Sequence, residues 1–464
     1  TLAGCGAMPS TGNGNETGEN ASVIAATEED TDGQITLRVV DWSDGSATQR
    51  EEFHKKFEEA HPDIKIEYTI VTMIKSGEGP DLFPIPVGLT LNTAVEEGWF
   101  QPINDYVTDE FRNKFDPEAF AEGVTDIGDE WYTVTEQMPI IQCLFFYNKD
   151  ILNQAGVTEV PTTYSEFREA CKKVTEMGNG NVYGLIDGGK QMNRMDVMAR
   201  SLAAAAGGKV AATQKVLTDN GVAPYDSKEM NDALGFIKGL VDDGSIHPDT
   251  INISAPEARE LFAQGQAAFL CQGMWCVSQW DANYPDLNYG VMAVPVPDGV
   301  TNTYVQAGEL SPWMGIYKQS KHPKEAAEYL MALYDEQYGY QQSNVESGSF
   351  VSCIPEINEK YMTNEHMKQY YTIAEETSRV VPTLVKRDEK ANDFYAEVKD
   401  VQPSLGAIVQ GIISQSITDY DSALKTLAND TTTEWKRASD YSSLEFPNWD
   451  ATKDYTDADY ETLK

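Results

Sequence analysis

Apolar and polar positions repeat along this chain in two rhythms, and the points where the rhythm changes mark its elements. Residues 35–40 (Ile-Thr-Leu-Arg-Val-Val) are rich in β-branched side chains and predict a short strand. Asp41-Trp42-Ser43-Asp44-Gly45 ends it, and Phe53, Phe57 and Ala60 then recur at i, i+4 and i+7, the apolar stripe of a helix. His61-Pro62-Asp63 stops that helix, and residues 64–71 read as a second strand. Strand, helix, strand is the building block of a parallel sheet. Further along, 92–98 predicts a short helix with a glycine stop, and 144–148 a strand. Thr163 with Glu166, and Ser254 with Glu257, are spaced as capping boxes that open helices ending near Met177 and Gly265. Residues 267–271 follow as a strand, and Pro323 stands where the first residue of a helix belongs, ahead of 324–334. Residues 404–428 predict one long helix with a break near Gly411. Strands alternating with helices throughout, without an internal repeat, give an α/β architecture.

Composition narrows the function. A chain of 464 residues can hold two or three compact units. Its most apolar stretch, 140–147, is far shorter than the roughly 18 residues a membrane helix needs. A net charge of −39 repels phosphate backbones and argues against a nucleic-acid partner. With 74 acidic residues, chance carboxylate pairs are plentiful, so no pair reads as a glycosidase dyad. Gly-x-Ser-x-Gly, His-Glu-x-x-His and the phosphate-binding Gly-x-x-x-x-Gly-Lys-Ser/Thr are absent, and only five histidines occur. Ser422-Ala423-Leu424-Lys425 fits Ser-x-x-Lys but lies in a predicted helix without companion motifs. Cys143, Cys171, Cys271, Cys276 and Cys353 are odd in number and widely spaced, and Cys271-x4-Cys276 lacks zinc-ligand spacing. These residues predict free thiols, no metal and no cofactor, and none of the common catalytic motifs stands among them.

Leu2-Ala3-Gly4-Cys5 resembles a bacterial lipobox, which implies diacylglycerol on Cys5 and a lipid anchor at the outer face of a cell membrane. Residues 1–5 are then the remnant of a signal peptide, and the Gly/Asn/Ser/Thr/Glu-rich 6–33 a flexible tether.

From residue 35 to 439 the order of motifs resembles the extracellular solute-binding proteins of carbohydrate ABC importers, the maltose-binding-protein-like group. The series runs Phe57-Glu58-Glu59-Ala60-His61-Pro62-Asp63-Ile64, Gly77-Glu78-Gly79-Pro80-Asp81-Leu82-Phe83, then Tyr147-Asn148-Lys149-Asp150, Ala155-Gly156-Val157 and Pro161-Thr162-Thr163. It continues through Glu260-Leu261-Phe262-Ala263, Gly265, Ala267-Ala268 and Gly273-Met274-Trp275 to Ser320-Lys321-His322-Pro323 with Ala326-Ala327. The segment between Val71 and Met73 is shorter than the family's. The resemblance implies a two-lobe, type II periplasmic-binding-protein fold, a ligand cleft between lobes joined by hinge strands, and delivery of a sugar or oligosaccharide to ABC permease subunits by a monomeric protein. Its lobes would be 34–138 with 300–350 and 139–299 with 351–440, followed by an acidic, aromatic extension at 441–464. A non-sugar solute is the alternative ligand, and a glycan-degrading surface lipoprotein the remaining one.

A pyranose presents apolar C–H faces and a rim of hydroxyls, so its site needs flat aromatics edged by amides, carboxylates and guanidinium groups. The resemblance places Trp275 as the sugar-stacking residue, with Trp280 a second candidate on the same stretch. Trp42, Asp44 and Ser46 follow the first strand, where open α/β sheets hold ligands. Gln142 precedes the strand at 144–148, Asn193, Arg194 and Asp196 occupy a segment that projects toward ligand in the family, and Glu309 and Trp313 lie in the returning hinge region just before a strand. Asp81 is expected to be structural, capping the turn after Pro80.

Overall fold

The structure, a computed structural model, describes residues 33–41, 46–70, 79–85, 90–141, 143–210, 221–307, 312–381, 388 and 390–445. The chain divides into two compact units, Thr1–Pro139 with Leu310–Met362 and Ile140–Glu309 with Thr363–Lys464. Two boundaries lie about ten residues later than the sequence suggests. Residues 300–309 go with the second unit because Tyr304–Ala307 pairs in parallel with Ser378–Val381 there. Residues 351–362 go with the first, where the Val351 carbonyl accepts from the Met138 amide and the Cys353 thiol donates to the Thr135 carbonyl.

The first unit is built on a six-stranded mixed sheet. The expected strand–helix–strand opening is present: Ile35–Asp41 pairs in parallel with Ile64–Ile70 across the helix Ala47–Ala60. Leu82–Pro84 lies on the other side of Ile35–Asp41, and Pro312–Tyr317 returns antiparallel beside it. The helix presents Phe53 and Phe57, both fully buried, to Tyr329, with ring centroids 5.2 and 5.6 Å away. Arg50 shares that inward stripe and is also buried. Asp81 is structural, as its position suggests: its carboxylate accepts from the Arg38 amide at 2.9 Å and from the Ser320 hydroxyl at 2.6 Å.

In the second unit the sheet order is Tyr289–Met292, Leu144–Asn148, Ala267–Gln272, Tyr183–Ile186. The two central strands are buried at every residue, which is why Leu-Phe-Phe-Tyr and Ala-Ala-Phe-Leu-Cys read as continuous apolar runs and not as alternation. Both capping boxes form, at Thr163 with Glu166 before Tyr164–Gly178 and at Ser254 with Glu257 before Ala255–Ala263. After Tyr183–Ile186 the chain passes Gly188, where a Cβ would come within 2.3 Å of the Ala255 amide nitrogen. Glycine there lets the end of the strand approach the start of that helix. The predicted helix at 404–428 is instead two, Leu405–Ile413 and Tyr420–Ser442. The break lies past Gly411, at Gln415, whose φ of 61° leaves the helical region, and Asp419 caps the second helix by accepting from the Ser422 amide. Among the described residues no helix is long and apolar enough to cross a membrane.

Candidate functional site

Open α/β sheets carry ligands beyond the carboxyl ends of their strands, so each unit has its own edge to inspect. In the first unit that edge begins at Asp41, the last residue of Ile35–Asp41. The Arg50 guanidinium donates to the Asp41 carboxylate at 2.6 Å and lies 3.7 Å from the Glu136 carboxylate. It also donates to the hydroxyls of Tyr68 and Tyr340, and the Tyr340 hydroxyl donates to Glu136 at 2.5 Å. Burial pushes the Glu136 carboxyl above its ordinary range, opposed by the Tyr340 hydrogen bond and the Arg50 charge. Trp313 lies inside the strand Pro312–Tyr317 and not before it. Its indole is only 6% exposed, stacked on Tyr340 at 6.1 Å and 10° with Arg50 over its ring at 5.8 Å. Ser46 is buried too, and its hydroxyl donates to the Asn344 side-chain oxygen at 2.8 Å. Ser46 and Trp313 are therefore held in the packing of the first unit. Trp42, Asp44, Gln142, Glu309 and Cys5 lie outside the described residues.

In the second unit the edge is formed by the ends of Tyr183–Ile186 and Ala267–Gln272, which run parallel. Asp187 immediately follows the first of these, and Gln272 ends the second. The Gln272 amide donates to Asp187 at 3.3 Å, and the Gly188 amide donates to the same carboxylate oxygen at 2.7 Å. Arg194, 7% exposed, donates to the Cys271 carbonyl at 2.6 Å and lies 3.6 Å from the other Asp187 oxygen. The guanidinium thus ties the end of one strand to the residue after the other. Arg194 sits on the inward stripe of Met192–Ala205 with Met195, Met198 and Leu202, so its contacts here are internal ones. Asp196 likewise is engaged, accepting from Arg200 at 2.7 Å one turn on. Asn193, in the same segment, is exposed.

The two tryptophans of the 273–280 stretch part company. Trp275 opens the helix Trp275–Asn283 and is 39% exposed, an unusual position for so large an apolar side chain. Trp280 is 1% exposed, its indole N–H donating to the Arg259 carbonyl at 3.3 Å and its ring edge-on to Phe146 at 5.1 Å. Trp280 is core, and the expected ligand contact there gives way to packing. The thiols nearby are equally internal. Cys143 and Cys271 are buried and free, and burial pushes the Cys143 thiol up, but a hydrogen bond from Cys271 and the Arg194 charge outweigh it and bring it to about 7. Among the described residues no group of His, Cys, Asp and Glu is arranged to hold a metal ion.

Sequence reasoning missed Arg50, Glu136, Asp187 and Gln272. A signal existed for Arg50, since it shares the buried side of its helix with Phe53 and Phe57, and a charge on an apolar stripe needs a partner. The contact between Arg194 and Cys271 spans 77 residues of sequence and left none.

Residues 41–340 match the family model of bacterial extracellular solute-binding proteins. A Brucella abortus (strain 2308) protein described as a binding protein is 24% identical over 330 residues, covering 68% of this chain and 76% of its own length. Among solved structures, the GacH receptor of Streptomyces glaucescens, determined unliganded and with acarbose, aligns with a TM-score of 0.63 at 19% identity over 87% of this chain and 98% of its own. An ABC substrate-binding protein from Listeria monocytogenes in complex with cycloalternan aligns with a TM-score of 0.60 at 21% identity over 86% and 98%. The fold shared with these structures is the two-lobe, type II periplasmic-binding-protein fold. The family match spans well over half of the sequence, and this chain belongs to the bacterial extracellular solute-binding proteins.

Proposed function

We propose that this protein captures a sugar, most suitably an oligosaccharide, and hands it to the permease of an ABC importer. One observation carries the reading: Trp275 stands half out of the second unit at the carboxyl edge of its sheet, while Trp280, five residues on, is fully packed. A flat, exposed indole is the kind of surface that accepts a pyranose face, and the exposed Asn193 of the same unit offers an amide of the kind that meets a hydroxyl rim. Relatives of the same fold support the class, since their solved ligands include acarbose and cycloalternan. Trp42, Asp44, Gln142 and Glu309 complete the proposed contacts, and the diacylglycerol on Cys5 keeps the protein at the outer face of the membrane. The protein binds its ligand without chemical change.

The test is a thermal-shift screen of the protein against mono-, di- and oligosaccharides, with amino acids and polyamines in the same plate. A ligand at about 100 times its dissociation constant adds about 2.7 kcal/mol to stability, enough for a shift of several degrees. Shifts from oligosaccharides alone support the reading. A shift from a polyamine or amino acid, with none from any sugar, overturns the ligand class while leaving the family untouched.

A further inference from the structure

We infer that Gly273 is the positioning residue of Trp275: the missing side chain at 273 is the space against which the indole lies. The inference rests on the proposal that Trp275 stacks on the sugar. A Cβ built on Gly273 would fall 2.1, 2.3 and 2.5 Å from the Trp275 ring atoms Cζ3, Cη2 and Cε3. Ordinary carbon contacts lie at roughly 3.5–4.0 Å, so any side chain at 273 forces the benzo edge of the indole away by more than about 1 Å.

The backbone cannot yield in its place. Just ahead of Gly273, the Cys271 carbonyl is held by Arg194 and the Gln272 side chain by Asp187. Gln272 is fully buried, Met274 is 7% exposed, and the Gly273 carbonyl accepts the Cys276 amide at 3.2 Å to start the helix. Nor does Gly273 sit at the positive φ that would strain an alanine. The group free to move is the indole, 39% exposed where its neighbours Gln272 and Met274 are buried. Substitution at 273 therefore leaves the fold in place and displaces the stacking surface, an error of about 1 Å being enough to spoil a preformed site.

The experiment uses the full chain in four forms: wild type, Gly273→Ala, Trp275→Ala and the double variant. Subtracting the emission of Trp275→Ala from wild type, and of the double variant from Gly273→Ala, isolates Trp275 in each background. The expected result is a melting temperature for Gly273→Ala within about 2 °C of wild type, with a changed Trp275 emission maximum and changed acrylamide quenching. Titration with maltotriose and raffinose should show at least tenfold weaker binding for Gly273→Ala, and no further loss when it is added to Trp275→Ala. An unchanged Trp275 emission and quenching in Gly273→Ala overturns the positioning role. So does weakened binding that persists undiminished in the Trp275→Ala background. If Trp275→Ala itself binds like wild type, or neither sugar binds any form, the stacking proposal fails, and the emission comparison still decides the role of Gly273.

Discussion

Replacing Trp280 by alanine should damage the fold of the second unit, because the indole is an interior group in spite of its neighbour's exposure. The ring is 1% exposed and is packed by Phe146, Phe262 and Tyr289 with centroids 5.0–5.2 Å away. Truncating a buried tryptophan costs about 3–5 kcal/mol, from the lost transfer of apolar surface and the cavity left behind. The hydrogen bond from its N–H to the Arg259 carbonyl adds about 1 kcal/mol at most. At roughly 2–4 °C per kcal/mol for a unit of this size, a loss of about 4 kcal/mol lowers the melting transition by roughly 10 °C. Circular dichroism melts of wild type, Trp280→Ala and Trp280→Phe measure it, the phenylalanine variant recovering most of the loss. A Trp280→Ala protein that melts within 2 °C of wild type, and has lost its ligand, would refute the reasoning and return Trp280 to the binding surface.

Arg50→Ala removes the cationic partner that the buried Asp41 carboxylate and Glu136 share and should cost about 3–5 kcal/mol in urea unfolding; a loss under about 1 kcal/mol would contradict the buried ion-pair network. Burial, reinforced by the Arg50 charge, lowers the His54 imidazole to about 4, so the folded protein holds it neutral where the unfolded chain, with its ordinary value near 6.5, takes up a proton. Its contribution is thus fully present above pH 6.5 and is lost as pH falls toward 4, at most about 3 kcal/mol; His54→Gln should flatten that part of the stability profile, and an unchanged profile would count against the burial. The thiols of Cys143, Cys171, Cys271, Cys276 and Cys353 should react with a thiol reagent only after denaturation, and rapid labelling of any of them in the native protein would contradict their burial.

Local signals carried most of the fold. Capping boxes, the proline at 323 and the apolar runs of the central strands are decided within a few residues, and each element formed where its pattern stands. The opposite exposures of Trp275 and Trp280 had a local signal too, although the reading of the sequence took both as ligand contacts. Five residues along a helix rotate a side chain by about 140°, and it is Trp280 that shares a stripe with the buried Cys276 and Val277. The same periodicity places Arg194 inward with Met195 and Met198. What it cannot supply is the partner: the Cys271 carbonyl and Asp187 meet that guanidinium only through the topology of the sheet, and no spacing encodes it. The break between residues 413 and 420 was placed too early for a similar reason. Gly411 looks like the weak point, yet it stays helical, and Gln415 in the left-handed region makes the turn.

The most direct measurement is isothermal titration of the wild-type protein and Trp275→Ala with the oligosaccharides that shift its melting curve. The account predicts one site per chain on wild type, binding at least tenfold weaker in Trp275→Ala, and apo melting temperatures within about 2 °C of each other. Equal affinity in the two proteins, or heat from a non-sugar solute and none from any oligosaccharide, would contradict it.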